Sequence, residues 1–128
     1  KTDDFDTTMC VMKSKSGVLV HINNSRRAVY GYDQRLEVFG SKGMLISDNV
    51  SEYNINSYNQ NISFAKSPIK NFFIERYAEA YRIQFDDFLN SIKLKKKPKV
   101  SFNDGKEALI LADCATKSVK LNKLIKIK

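Results

Sequence analysis

The sequence predicts an α+β domain: an antiparallel β-sheet of four to six strands with two helices packed on one face. Three observations carry this expectation. Residues 7–13 alternate with a period of two, apolar residues recur every three or four positions from Phe72 to Ile92, and a second such stripe runs from Ala108 to Val119. Strands grouped in the first half and helices in the second fit an α+β layout better than alternating β–α units.

The first strand sets Thr7, Met9 and Val11 against Thr8, Cys10 and Met12. Ser14-Lys15-Ser16-Gly17 is a turn, with Gly17 free to take positive φ, and Val18–Ile22 returns as the second strand of a hairpin. Residues 26–39 continue as one long strand or two, with Gly31 as a bulge or a point of close approach. Gly40-Ser41-Lys42-Gly43 turns the chain into Met44–Ser47. Asp48–Asn61 is rich in Asn and Ser; its Val50, Tyr53, Ile55 and Tyr58 support one ragged strand, and Asn61–Phe64 supports another.

Pro68 lies just before the first helix and Asn71 is its candidate N-cap. Phe72, Phe73, Tyr77, Ala80, Tyr81, Phe85, Phe88, Leu89 and Ile92 share one face for about five turns. After a lysine-rich linker ending at Pro98, Asp104-Gly105-Lys106-Glu107 has the spacing of a capping box. Ala108, Leu111, Ala112, Ala115 and Val119 form the second helix's stripe.

A length of 128 residues fits a single domain, 1–128, able to bury a core. No run of about 18 apolar residues exists, so no membrane partner is expected. Lys1-Thr2-Asp3-Asp4-Phe5-Asp6 has no apolar core and no initiator Met. It reads as the continuation of a longer protein. Cys10 and Cys114 lie far apart, which favours a reducing, cytoplasmic setting over a disulfide. One His and two scattered Cys supply no metal site. The formal charge of +8 raises nucleic-acid binding. The placement of the charge argues against it, because the lysines at 93–99 and 117–128 lack interleaved aromatics and any DNA-reading motif.

An enzyme needs a nucleophile, acid or base in a supported constellation. His21 is the one histidine, on a strand, with no carboxylate partner in sequence reach. Asp86 and Asp87 are adjacent on a helix and diverge by about 100°. Gly40-x-x-Gly43 lacks both the third glycine and the strand–turn–helix setting of a dinucleotide site. No catalytic, cofactor-binding or metal residue is assigned within the chain. The polar stretch Asn23–Arg35 is different. Tyr30 and Tyr32 flank Gly31 and, on a strand, share a face. Two hydroxyls on an aromatic wall suit polyol hydroxyls or a subunit interface. Arg26 and Arg35 are alternative anchors, and a solvated sheet face is the remaining reading.

The run Ile22-Asn23-Asn24-Ser25-Arg26-Arg27-Ala28-Val29-Tyr30-Gly31-Tyr32-Asp33-Gln34-Arg35, continuing through Leu36-Glu37-Val38-Phe39-Gly40-Ser41-Lys42-Gly43-Met44, resembles the C-terminal domain of bacterial inositol 2-dehydrogenases. These enzymes belong to the glucose–fructose oxidoreductase/inositol dehydrogenase/rhizopine-catabolism family. Phe72-Phe73-Ile74-Glu75-Arg76-Tyr77 and Asn103-Asp104-Gly105-Lys106-Glu107-Ala108 match more general family patterns. Asn23 stands where Asp is expected in the inositol enzymes, so the polyol itself stays open.

The resemblance implies a parent enzyme that oxidises a polyol substrate to a ketone and passes hydride to NAD. It implies an N-terminal Rossmann domain, absent here, and a C-terminal domain whose open sheet face joins copies into a homo-oligomer. The family's Glu-Lys-Pro motif and its Asp and His four residues apart do not appear: Lys97-Pro98 follows a lysine, and Gly17 lies four before His21. The chain alone is therefore expected to be inactive and to bind no NAD. On this reading Tyr30, Tyr32, Arg26 and Arg35 are its substrate-binding candidates. The alternative is a stand-alone, non-catalytic domain that self-associates through the same sheet.

Overall fold

A computed structural model describes residues 4–127. Its elements run β1 (Thr7–Lys13), β2 (Leu19–Ser25), β3 (Leu36–Gly40), β4 (Gly43–Ser47), β5 (Asn56–Asn59), β6 (Ile62–Lys66), α1 (Phe73–Lys93) and α2 (Phe102–Leu121). Six strands precede two helices, so the α+β class holds. The strands pair as three separate antiparallel hairpins, β1–β2, β3–β4 and β5–β6, and not as one continuous meander. The described residues divide into two compact units, 4–8 with 24–82 and 9–23 with 83–127.

The first turn forms as the sequence implies. Gly17 takes φ +92°, its N–H donates to Ser14 O at 3.1 Å, and the Ser14 hydroxyl accepts from Val18 N–H. The β1 alternation is realised: Thr8, Cys10 and Met12 are half-buried while Met9 and Val11 are exposed. β3 and β4 join through Ser41-Lys42 with Val38 opposite Leu45 and Phe39 opposite Met44. Direct partners share a face, so Leu36, Val38 and Leu45 form one apolar face and Phe39, Met44 and Ile46 the other. All six are exposed.

Residues 26–35 are not a strand, which corrects the expectation of a long one. Local bonds compete with ladder formation here. Gly31 N–H closes a turn onto Ala28 O, and Tyr32 N–H donates to Lys70 O. Arg26 and Arg27 consequently do not alternate across a sheet, and Tyr30 and Tyr32 do not share a strand face. Val50–Tyr53 pairs instead with 67–70: Lys70 N–H donates to Val50 O, Glu52 N–H donates to Pro68 O, and Ser51 bridges Ile69.

α1 begins one residue later than an Asn71 cap would set it, because Arg76 N–H donates to Phe72 O. α2 begins three residues earlier than expected. Its capping box is Ser101 with Asp104: the Ser101 hydroxyl accepts from Asp104 N–H, and the Asp104 carboxylate accepts from Ser101 N–H at 2.7 Å. The Asp104 carboxyl is held below its ordinary pKa chiefly by that backbone bond. Gly105 therefore lies inside the helix. No described residue of either helix is buried, and no described hydrophobic side chain is buried. Among the described residues no helix is long and apolar enough to cross a membrane.

Candidate functional site

The segment 30–35 is organised around one carboxylate. Asp33 accepts from the Tyr30 hydroxyl at 2.5 Å, from Arg35 Nε and NH2 at 2.8 Å each, and from Asn49 Nδ2 at 2.8 Å. Arg35 thus spends its planar fork on a residue of its own loop. The Arg35 guanidinium, then the Tyr30 hydroxyl and the Asn49 amide, hold the Asp33 carboxyl far below the usual carboxylate range. The same bond, from the other side, keeps the Tyr30 hydroxyl protonated beyond its ordinary value.

A second cluster shares the loop. The Tyr32 ring meets Tyr77 edge-on, with centroids 5.5 Å apart and planes at 82°, and Tyr77 meets Tyr81 in turn. The Tyr77 hydroxyl donates to Gln34 Oε1 at 2.6 Å. Burial first, and then hydrogen bonding with Tyr32, raises the Tyr77 pKa. Gln34 joins the clusters, because its backbone N–H donates to Asn49 Oδ1 at 2.7 Å. Asn49 also lines an open hollow of about 480 Å³ shared with Ser51, Glu52, Asn54, Lys66 and Ser67. Ser67, the buried polar residue there, donates to Tyr53 O.

Gly31 is what lets this loop close. Its φ is +127°, and an added Cβ would lie 2.5 Å from Ile69 Cγ1 and 3.2 Å from Ile69 O. The close approach inferred at this glycine is therefore to the chain's own 68–70 segment.

Of the four sequence candidates, Tyr30 and Arg35 converge on Asp33, and Tyr32 lies in the adjoining aromatic cluster. Arg26 is apart from them, 71% exposed and paired with Asp4 at 2.6 Å. Asp33, Gln34, Asn49 and Tyr77 were not singled out by sequence. The available signal was the i, i+3 and i, i+2 spacing of Tyr30, Asp33 and Arg35. Tyr77 was hidden in the apolar stripe of α1.

The pattern of the GFO/IDH/MocA C-terminal domain matches residues 1–46. Across the full chain the relatives agree. Myo-inositol 2-dehydrogenase of Thermotoga maritima is 43% identical over 128 residues, all of this chain and 38% of that protein. Inositol 2-dehydrogenase of Rhizobium meliloti is 39% identical over 124 residues, 97% of this chain and 37% of that protein. Over residues 1–46 the chain matches the GFO/IDH/MocA C-terminal domain, and over its whole length it is similar to inositol 2-dehydrogenases. A crystal structure of a myo-inositol dehydrogenase from Corynebacterium glutamicum superposes with a TM-score of 0.91 at 36% identity, over 98% of this chain and 38% of that one. The chain thus spans less than two fifths of the length of these relatives. It matches the C-terminal domain of inositol dehydrogenase-family oxidoreductases.

Proposed function

We propose that this domain is the substrate-side and assembly-forming part of an NAD-dependent oxidoreductase of the inositol 2-dehydrogenase type, working in the cytoplasm. The observation that carries the reading is the match, over the whole chain, to a relative named myo-inositol 2-dehydrogenase at 43% identity. The parent would convert a ring secondary alcohol to a ketone, with hydride passing to NAD and the hydroxyl proton to a base outside these residues. The described residues do not fit NAD: Gly40 and Gly43 close a two-residue β-hairpin loop and not a phosphate-binding strand–turn–helix.

What the chain supplies is a wall. Asp33 fixes loop 30–35 through four hydrogen bonds from Tyr30, Arg35 and Asn49, and Tyr77 braces Tyr32. With the Tyr30 hydroxyl donated to Asp33, Tyr32 is the better candidate to meet a polyol hydroxyl. Arg35, held by Asp33, orders the loop, and Arg26, paired with Asp4, stands apart from it. Cys10 and Cys114 are free thiols, which suits a reducing compartment.

The homo-oligomer is supported by β3–β4. A two-stranded ribbon apolar on both faces is marginal in water, and exposed apolar patches mark contact surfaces. A second copy related by a two-fold axis would cover one face isologously. The same ribbon favours the alternative of a stand-alone self-associating domain. Assay of the full-length parent separates the two: NAD-dependent oxidation of an inositol supports the enzyme, and self-association without turnover supports the alternative.

A further inference from the structure

Four of the five arginines face a carboxylate. Arg26 pairs with Asp4, Arg27 with Asp6, Arg35 with Asp33 and Arg82 with Glu79. The side chains of those four are between 61% and 82% exposed. Arg76 is the exception. It is half-buried, its Nε is withdrawn from solvent, and that nitrogen has no hydrogen-bond acceptor among the described residues. Its guanidinium lies over the Tyr77 ring, 5.6 Å from the centroid.

A ring face attracts the charge but does not accept the in-plane N–H bonds. A guanidinium N–H held away from water without an acceptor is unfavourable, so folded proteins supply one, and a charged group takes a charged partner where it can. The fork geometry of the guanidinium selects a planar anion. The least exposed arginine is thus the one whose counter-charge does not come from the described residues.

We propose that Arg76 receives a carboxylate from a part of the parent enzyme outside the described residues, fixing α1 and the adjoining Tyr77–Tyr32 pair against that part. The inference rests on the reading that the chain belongs to a longer oxidoreductase. A carboxylate side chain is favoured over a substrate group because a polyol is neutral. A cofactor phosphate is the competing anion, and the test below separates the two.

The test is thermal unfolding of the full-length parent with Arg76→Met and Arg76→Lys. Arg76→Met is expected to lower the melting temperature by about 5 °C or more, with Arg76→Lys between it and wild type. Where Arg76→Met does not accumulate, Arg76→Lys carries the comparison. A scan of Asp→Asn and Glu→Gln outside these residues should then find one carboxylate whose loss is non-additive with the Arg76 variant. Additivity at every such carboxylate, or a variant melting within about 1 °C of wild type, overturns the proposal. So does a deficit that appears only in the presence of saturating NAD, which would assign the anion to the cofactor. A parent that melts as expected but oxidises no polyol would refute the proposed function and leave the Arg76 result intact.

Discussion

Tyr30 and Asp33, three residues apart, are joined by a 2.5 Å bond from the phenol to a carboxylate that Arg35 grips with two nitrogens. This bond turns a stretch that reads as ligand-facing into a loop that holds itself. Asp33→Asn should therefore lower stability by about 1.5–3 kcal/mol, the range for hydrogen bonds to a charged group. Tyr30→Phe, which removes one donor from an exposed hydroxyl, should lower it by less. Urea unfolding of each variant checks both.

The pH dependence follows from the same carboxylate. Its folded-state pKa is depressed, chiefly by Arg35, so the unfolded chain binds the proton first as pH falls. The stabilisation is complete above the unfolded value of about 3.9 and is lost progressively as pH falls below it toward the folded value. A melting series through acid should show wild type losing its advantage over Asp33→Asn in that window. A constant difference between the two would exclude the clamp.

Gly31→Ala should be among the most disruptive single changes. The new methyl meets Ile69 Cγ1 at 2.5 Å and the residue keeps φ at +127°. Steric displacement and a left-handed backbone each cost about 1–3 kcal/mol. Ile69→Ala should recover the steric part alone, and a double-mutant cycle on melting temperature would separate the two.

The helices offer changes in both directions. Gly105 lies inside α2 with no atom within 4 Å of an added Cβ, so Gly105→Ala should stabilise by about 1 kcal/mol. Lys95, at φ +49° where α1 ends, should gain from Gly by a similar amount, about 1 kcal/mol. Ser101→Ala should cost about 1 kcal/mol by removing the cap of α2. Helical circular dichroism through thermal unfolding reads all three.

Periodicity was legible wherever it was local. β1 matches its expected limits, and α1 follows the stripe from Phe72 to Ile92 closely. What was not legible depended on side chains bonding to backbone or to each other. The alternation around Gly31 suggested a strand, but Asp33 and the 68–70 segment claim those groups for a loop. Asp104 through Glu107 has capping-box spacing, yet Ser101 with Asp104 satisfies the helix start three residues earlier. Of the site, Tyr30, Tyr32 and Arg35 were found as one stretch, whereas Gln34, Asn49 and Tyr77 join it through contacts 15 to 43 residues apart in sequence.

The exposed ribbon gives an assembly prediction. Phe39, 82% exposed, and Leu45, 75% exposed, stand on opposite faces of β3–β4. If one face meets a second copy, either Phe39→Ser or Leu45→Ser, but not both equally, should shift the parent to a smaller species in light scattering. Unchanged mass for both would place the interface elsewhere.

The most direct measurement is steady-state kinetics of the full-length parent with myo-inositol and NAD, wild type against Tyr32→Phe. NAD-dependent oxidation is expected in wild type, with a KM for the polyol raised several-fold in the variant, the effect of losing one neutral hydrogen bond of about 1 kcal/mol. The melting temperature should be unchanged. Absence of polyol oxidation in wild type, or an identical KM in Tyr32→Phe, would contradict the proposed function.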